Sequence, residues 1–140
     1  MKYINLITIL AAVVLFTSCT KSQQKNTACG TQVCSDIFMS VGIHYIDNKG
    51  EPIIVSNFTV FDVTSNKQLY PGLPTGELVV GYYTIASDSD IKDFSTGGDI
   101  IKVSATNPIT GQTKTVNLKI SGGCNCHVAK LSGPDTVAFD

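Results

Sequence analysis

Three side chains able to bind metal or carry redox chemistry fall within four positions at Cys124, Cys126 and His127, in the run Gly122-Gly123-Cys124-Asn125-Cys126-His127. Thiolates and an imidazole suit zinc or cuprous copper, and two neighbouring thiols can cycle electrons. In an oxidising compartment each thiol instead becomes half of a disulfide. Cys29 and Cys34 supply either two more ligands or two partners. The choice turns on the elements that hold these residues. In a regular strand Cys124 and Cys126 share a face, about 6.6 Å apart, so each can meet its own partner. His127 then points to the opposite face and cannot share their metal. The spacings C-x4-C and C-x-C are not those of a common zinc ribbon.

The other end of the chain decides the compartment. Lys2 precedes an apolar run from Leu6 to Phe16, and Thr17-Ser18-Cys19 follows. These eleven residues, apolar but for Thr8, suit the core of a secretory signal and fall short of the 18 or more a spanning helix needs. Phe16-Thr17-Ser18-Cys19 resembles the lipobox of bacterial lipoproteins, with Phe16 where Leu is more usual. The resemblance implies lipidation of Cys19 and removal of residues 1–18. Several acyl chains, each buried methylene contributing about 0.8 kcal/mol, hold such an anchor in a bilayer. Residues 20–28, TKSQQKNTA, have the composition of a solvated tether. Thr20 follows the lipidated position, so neither an inner-membrane retention Asp nor an acidic export run is present. The expected location is the outer membrane, facing the periplasm.

Export makes the four cysteines of the domain a disulfide framework with three possible pairings. Cys34 with Cys126 and Cys29 with Cys124 is the favoured set, tying the first strand to the penultimate one. A loop of about 93 residues closed in this way stabilises by roughly 4 to 5 kcal/mol. Local pairing, Cys29 with Cys34 and Cys124 with Cys126, stays open as the alternative, although a C-x-C bridge closes a tight ring.

The expected layout is a signal peptide (1–18), a lipidated cysteine and tether (19–33) and one domain (34–140). Removing residues 1–18 leaves 122 residues, enough for one modest core. All ten basic residues are lysines against eleven acidic ones. Without arginine there is no bidentate fork for phosphate or guanine, and nucleic-acid binding is not expected.

Alternation of period two marks a strand over residues 37–46, with Ile37, Met39, Val41, Ile43 and Tyr45 on one face. Asp47-Asn48-Lys49-Gly50 and then Pro52 read as a hairpin turn. Asn107-Pro108-Ile109-Thr110-Gly111 reads as a turn between strands at 100–105 and 113–120, the latter with Val116, Leu118 and Ile120 on one face. Further strands are expected at 57–63, 78–86, 126–131 and 136–139, and residues 72–76 as loop. Ser87-x-x-Asp90 has the form of a capping box, which predicts a short helix over 88–94. About seven short strands with no long helical pattern indicate an all-β fold, a single antiparallel sandwich or small barrel.

Other chemistry finds little in the sequence. No G-x-S-x-G occurs, and His44 and His127 each fall on an expected strand face with no carboxylate at fixed spacing. Asp88, Asp90 and Asp93 lack the glycine and terminal glutamate of a calcium loop, so capping is the expected role. Tyr82 and Tyr83 must face opposite sides of their strand, one toward the core.

Cys34-x-x-x-Phe38, the alternating strand, Asp47-x-x-Gly50-x-Pro52, Tyr83-Thr-Ile-Ala-Ser-Asp88 and Cys126-His127-Val128-x-Lys130-x-Ser132-Gly133 together resemble a group of small bacterial envelope lipoproteins. The opening strand, turn and second strand are also similar to the carboxypeptidase-regulatory-like, prealbumin-type β-sandwich. The resemblance implies an immunoglobulin- or prealbumin-like sandwich locked by Cys34 and Cys126, with Cys29 and Cys124 as an added pair. The expectation is therefore a non-catalytic, membrane-anchored module with no cofactor, binding or supporting another envelope protein or glycan. The alternative is a thiol, zinc- or copper-binding or redox protein using Cys29, Cys34, Cys124 and Cys126.

Overall fold

The computed structural model describes residues 29–69 and 79–140. The expected signal, Cys19, most of the tether and the 72–76 loop lie outside them. Among the described residues there are eight strands: β1 Ser40–Ile46, β2 Ser56–Asp62, β3 Lys67–Leu69, β4 Tyr82–Ser87, β5 Asp99–Thr106, β6 Thr113–Ser121, β7 Ala129–Ser132 and β8 Thr136–Ala138. They form a three-stranded sheet, β4-β1-β8, and a five-stranded sheet, β3-β2-β5-β6-β7. The chain is all-β, and the inner faces of both sheets meet in one core. Ile43, Tyr45, Tyr83 and Ile85 come from the first sheet, and Val60, Ile101, Val103, Leu118 and Ile120 from the second. Each such side chain contributes roughly 1.5 to 3 kcal/mol by leaving water.

The β5–β6 hairpin follows its pattern along its whole length, in unbroken register from Asp99 opposite Ile120 to Thr106 opposite Thr113. Its turn is closed by the Asn107 side chain, which accepts from the amides of Ile109 at 2.9 Å and Thr110 at 3.3 Å.

Four expectations need correction. The first strand begins at Ser40, and Ile37 and Met39 are exposed. Its partner β4 ends at Ser87, so earlier residues have no ladder to join, and Met39 and Asp88 bond to each other there instead. The turn at Asp47 forms, with its carboxylate accepting from the amides of Lys49 and Glu51. It does not open a hairpin. Pairing stops after a single bridge between Ile46 and Pro52, because the Tyr45 amide, the next donor of the ladder, bonds to the Gly81 carbonyl instead of to Ile53. The chain then crosses to the other sheet. Tyr83 fastens the crossing, its hydroxyl accepting from the Val55 amide at 2.8 Å.

The sandwich is not wholly antiparallel either, since β8 runs parallel to β1, from His44 opposite Thr136 to Ile46 opposite Ala138. Finally, the expected strand over 126–131 starts only at Ala129, and Cys124 to Val128 form a turn instead. The short helix is present as a 3-10 helix, Asp88–Asp93. As expected, Tyr83 enters the core, while Tyr82 lies across Gly42 on the outer face, close enough that a Cβ at Gly42 would stand 2.3 Å from its ring.

Candidate functional site

The Cys124-to-His127 turn is docked against the 3-10 helix by close backbone approach. Gly122 donates to the Ser95 carbonyl at 3.0 Å and Gly123 to the Ile91 carbonyl at 2.6 Å. A Cβ at Gly122 would lie 2.5 Å from the Ile91 carbonyl oxygen, so the contact requires glycine. Thr96 completes the seat, its hydroxyl accepting from the Cys124 amide and its carbonyl from the Asn125 side chain.

Two disulfides bring the leading segment onto this turn. Cys29 bonds to Cys124 with Cα atoms 5.2 Å apart, and Cys34 to Cys126 with Cα atoms 5.3 Å apart. The favoured pairing is the one present, although the strand from which it was reasoned is not. The local pairing is excluded. In these two bridges none of the four sulfurs is a thiolate, the form that zinc or cuprous copper would need. Among the described residues, no three His, Cys, Asp or Glu side chains are grouped to hold a metal ion. The three aspartates of the 3-10 helix diverge. Asp90 accepts from the Ser87 amide and hydroxyl, Asp93 pairs with Lys67, and Asp88 turns toward His127.

The bridge Cys34–Cys126 places the residues that follow each cysteine side by side. Ser35 Oγ lies 2.9 Å from His127 Nε2, and His127 Nδ1 lies 2.7 Å from Asp88 Oδ2. Asp88 is itself fixed from two sides, accepting from the Met39 amide at Oδ2 and the Val128 amide at Oδ1, both at 2.8 Å. Its side chain is only 15% exposed and that of His127 only 23%. Burial works against the charge on Asp88, but the bonds from Met39, His127 and Val128 outweigh it and hold the carboxyl below the usual carboxylate range. An ionised carboxylate only accepts, so Nδ1 carries the proton and, in the neutral ring, Nε2 presents its lone pair to the Ser35 hydroxyl. Hydroxyl, imidazole and carboxylate thus stand in the order that prepares a serine nucleophile.

His127 sits in a turn and not on the expected strand, so the alternation of strand faces does not govern where its ring points. Ser35 and Asp88 were both missed. Two of the three residues have a signal in the sequence: once Cys34 and Cys126 pair, Ser35 and His127 follow as neighbours. Asp88 carried none, since its helix-start position also explains an aspartate. His44 takes no part, being exposed beside the Tyr82 ring at a centroid distance of 4.9 Å.

Beside the site lies a shallow groove of about 430 Å3 between the first sheet and the approach to β7, lined by Met39, Val41, Tyr82, Val128, Lys130 and Asp135 among others. Met39 and Val128, the two residues whose amides hold Asp88, form part of its wall. No family model, curated protein or solved structure matches the chain.

Proposed function

We propose that the chain is an exported envelope lipoprotein, anchored through Cys19 to the outer membrane and facing the periplasm, whose prealbumin- or immunoglobulin-like sandwich binds or supports another envelope protein or glycan. One observation carries this reading. Four of the five cysteines are paired with one another across the whole length of the domain, which is the habit of proteins folded outside the reducing cytosol. The fifth, Cys19, stands directly after an apolar run of signal length, where a lipid anchor would be attached. The first bridge reaches back to Cys29, so the sandwich would be held on a short tether, close to the membrane surface.

Expression of the full chain in a bacterial host fed an alkyne fatty acid tests it. The parent chain is expected to take up the label and to partition into detergent, and Cys19→Ala to do neither. A parent that stays unlabelled and water-soluble, or a Cys19→Ala chain that keeps the label, removes the anchor from the reading.

A further inference from the structure

We propose that Ser35, His127 and Asp88 form a serine-nucleophile site that cleaves carboxylic esters with short acyl groups. The site goes beyond the anchoring and binding roles above and replaces the expectation of a non-catalytic module. It does not depend on the lipid, because every group it uses lies within the disulfide-bonded domain.

The geometry meets the conditions that the chemistry sets. A serine hydroxyl is a weak nucleophile unless a base takes its proton as it attacks, and the base must lie within about 2.6 to 3.2 Å. The Ser35 Oγ to His127 Nε2 distance of 2.9 Å satisfies this. The base in turn must be held in one tautomer by a third group, which Asp88 Oδ2 does from 2.7 Å. Asp88 touches no substrate in this scheme and is a positioning residue. Its own three hydrogen bonds come from two separate stretches of chain, Met39 ahead of β1 and the adjacent His127 and Val128, so its carboxylate is immobilised before any ligand arrives. Ser35, by contrast, is open to solvent and can be reached by an ester. Among the described residues the amides of Ser35 and Asp36 bond to no acceptor, which leaves two N–H donors in the same stretch of chain as the hydroxyl.

In the first half-reaction Ser35 Oγ bonds to the ester carbonyl carbon while its proton passes to His127 Nε2. The carbonyl oxygen takes the negative charge of the tetrahedral intermediate. As that intermediate collapses, the bond to the alkoxy oxygen breaks and the imidazolium returns the proton to the departing alcohol. Water repeats the sequence on the acyl-serine, losing a proton to His127, and a carboxylic acid leaves with Ser35 restored. No oxidant, reductant or metal enters the balance. The shallow groove, with Met39, Val41 and Val128 on its wall, adjoins the cluster through Met39 and Val128, whose amides hold Asp88, and its volume suits a small acyl group.

The bridge Cys34–Cys126 also makes the site conditional. Ser35 is exposed and outside any strand, and the attachments nearest to it are the flanking disulfide and its own bond to His127, with the Cys29–Cys124 bridge and the Met39–Asp88 bonds farther along the segment.

The test uses the full chain purified in its oxidised form, with a fluorophosphonate probe and an aryl acetate as substrates. The probe is expected to label Ser35, as located by peptide mass spectrometry, and the aryl acetate to be hydrolysed. Ser35→Ala should abolish labelling and lower hydrolysis at least ~100-fold while unfolding at the parent's midpoint, because the side chain is exposed; His127→Asn should lower both by a similar factor. For Asp88, Asp88→Asn should lower kcat for the aryl acetate by ~100-fold or more with KM little changed. A role in structure alone would lower the folded fraction and leave kcat per folded molecule in place. Absence of label on Ser35 in the folded, oxidised protein, or hydrolysis unchanged in Ser35→Ala, overturns the proposal. Neither outcome bears on the anchor, which the fatty-acid label reports separately.

Discussion

The segment from Cys29 to Met39 and the β5–β6 hairpin are held by opposite means. Every residue of the segment is exposed, none is in a strand, and Val33, Ile37 and Phe38 present large apolar side chains to solvent. It stays in position through two covalent bridges, the Ser35–His127 contact and the Met39–Asp88 bonds. The hairpin has no covalent help. It is held by eight cross-strand pairs and by Ile101, Val103, Leu118 and Ile120, all essentially without solvent exposure. Burial is spread over many small contacts and tolerates the loss of one. Point attachments concentrate geometry in a few atoms, which suits the region where a serine must meet an imidazole within tenths of an ångström.

The largest break in this contrast should come from the disulfides. The two bridges span 95 and 92 residues and close nearly the same loop. With one in place, the other closes a ring of only a handful of residues. In the chain-entropy view, loss of either alone should cost about 2 to 3 kcal/mol, and loss of both about 7. Denaturant unfolding of Cys34→Ala/Cys126→Ala, of Cys29→Ala/Cys124→Ala and of the quadruple variant measures this; two equal costs that simply add would show the loops to be independent. On the hairpin side, Leu118→Ala should cost about 2 to 5 kcal/mol while leaving the labelling of Ser35 intact in the remaining folded protein.

Acid should act on the stapled region through a smaller effect. Asp88 has a folded pKa below its unfolded value, so its stabilisation is complete above about pH 4 and is lost as pH falls through the lower folded value. Asp47 and Asp140 are lowered in the same sense, the first by the amides of Glu51 and Lys49, the second by Gln112 and Lys114. Asp88→Asn should therefore flatten the acid limb of the stability–pH curve without removing it. The smallest change is expected in the core. The Tyr45 hydroxyl is buried with no hydrogen-bond partner among the described residues, and burial, with Tyr83 beside it, pushes its ionisation upward. Tyr45→Phe should leave stability unchanged or raise it by up to about 1 kcal/mol, read from the same unfolding curves.

Legibility in the sequence follows the same division. The hairpin could be read because Val116, Leu118 and Ile120 alternate and Asn107 and Gly111 bracket the turn, so local pattern and tertiary role agree. Tyr82 and Tyr83 were separable for the same reason. Ile37 and Met39 extended the alternation into a region with no partner strand, and periodicity cannot report where a neighbour ends. The turn at Asp47 was legible, but not the crossing after it, which depends on Tyr83 reaching Val55 from another strand. The Ser35–His127–Asp88 cluster unites three residues from three stretches, and no spacing rule connects them. Only the cysteine pairing brought two of them within reach of inference.

The parallel seat of β8 beside β1 carries a consequence for how the chain comes into being. The first sheet has only β4 and β1 until Thr136–Ala138 arrives, about 90 positions after the strand it must join. A chain threaded outward amino end first would thus emerge with its opening strand half-clothed, and Tyr45 would wait for Phe139, which packs against its ring at 5.9 Å. Contacts so distant along the chain are slow to form. Closure of the sandwich is therefore a late event that waits for nearly the whole domain to be made.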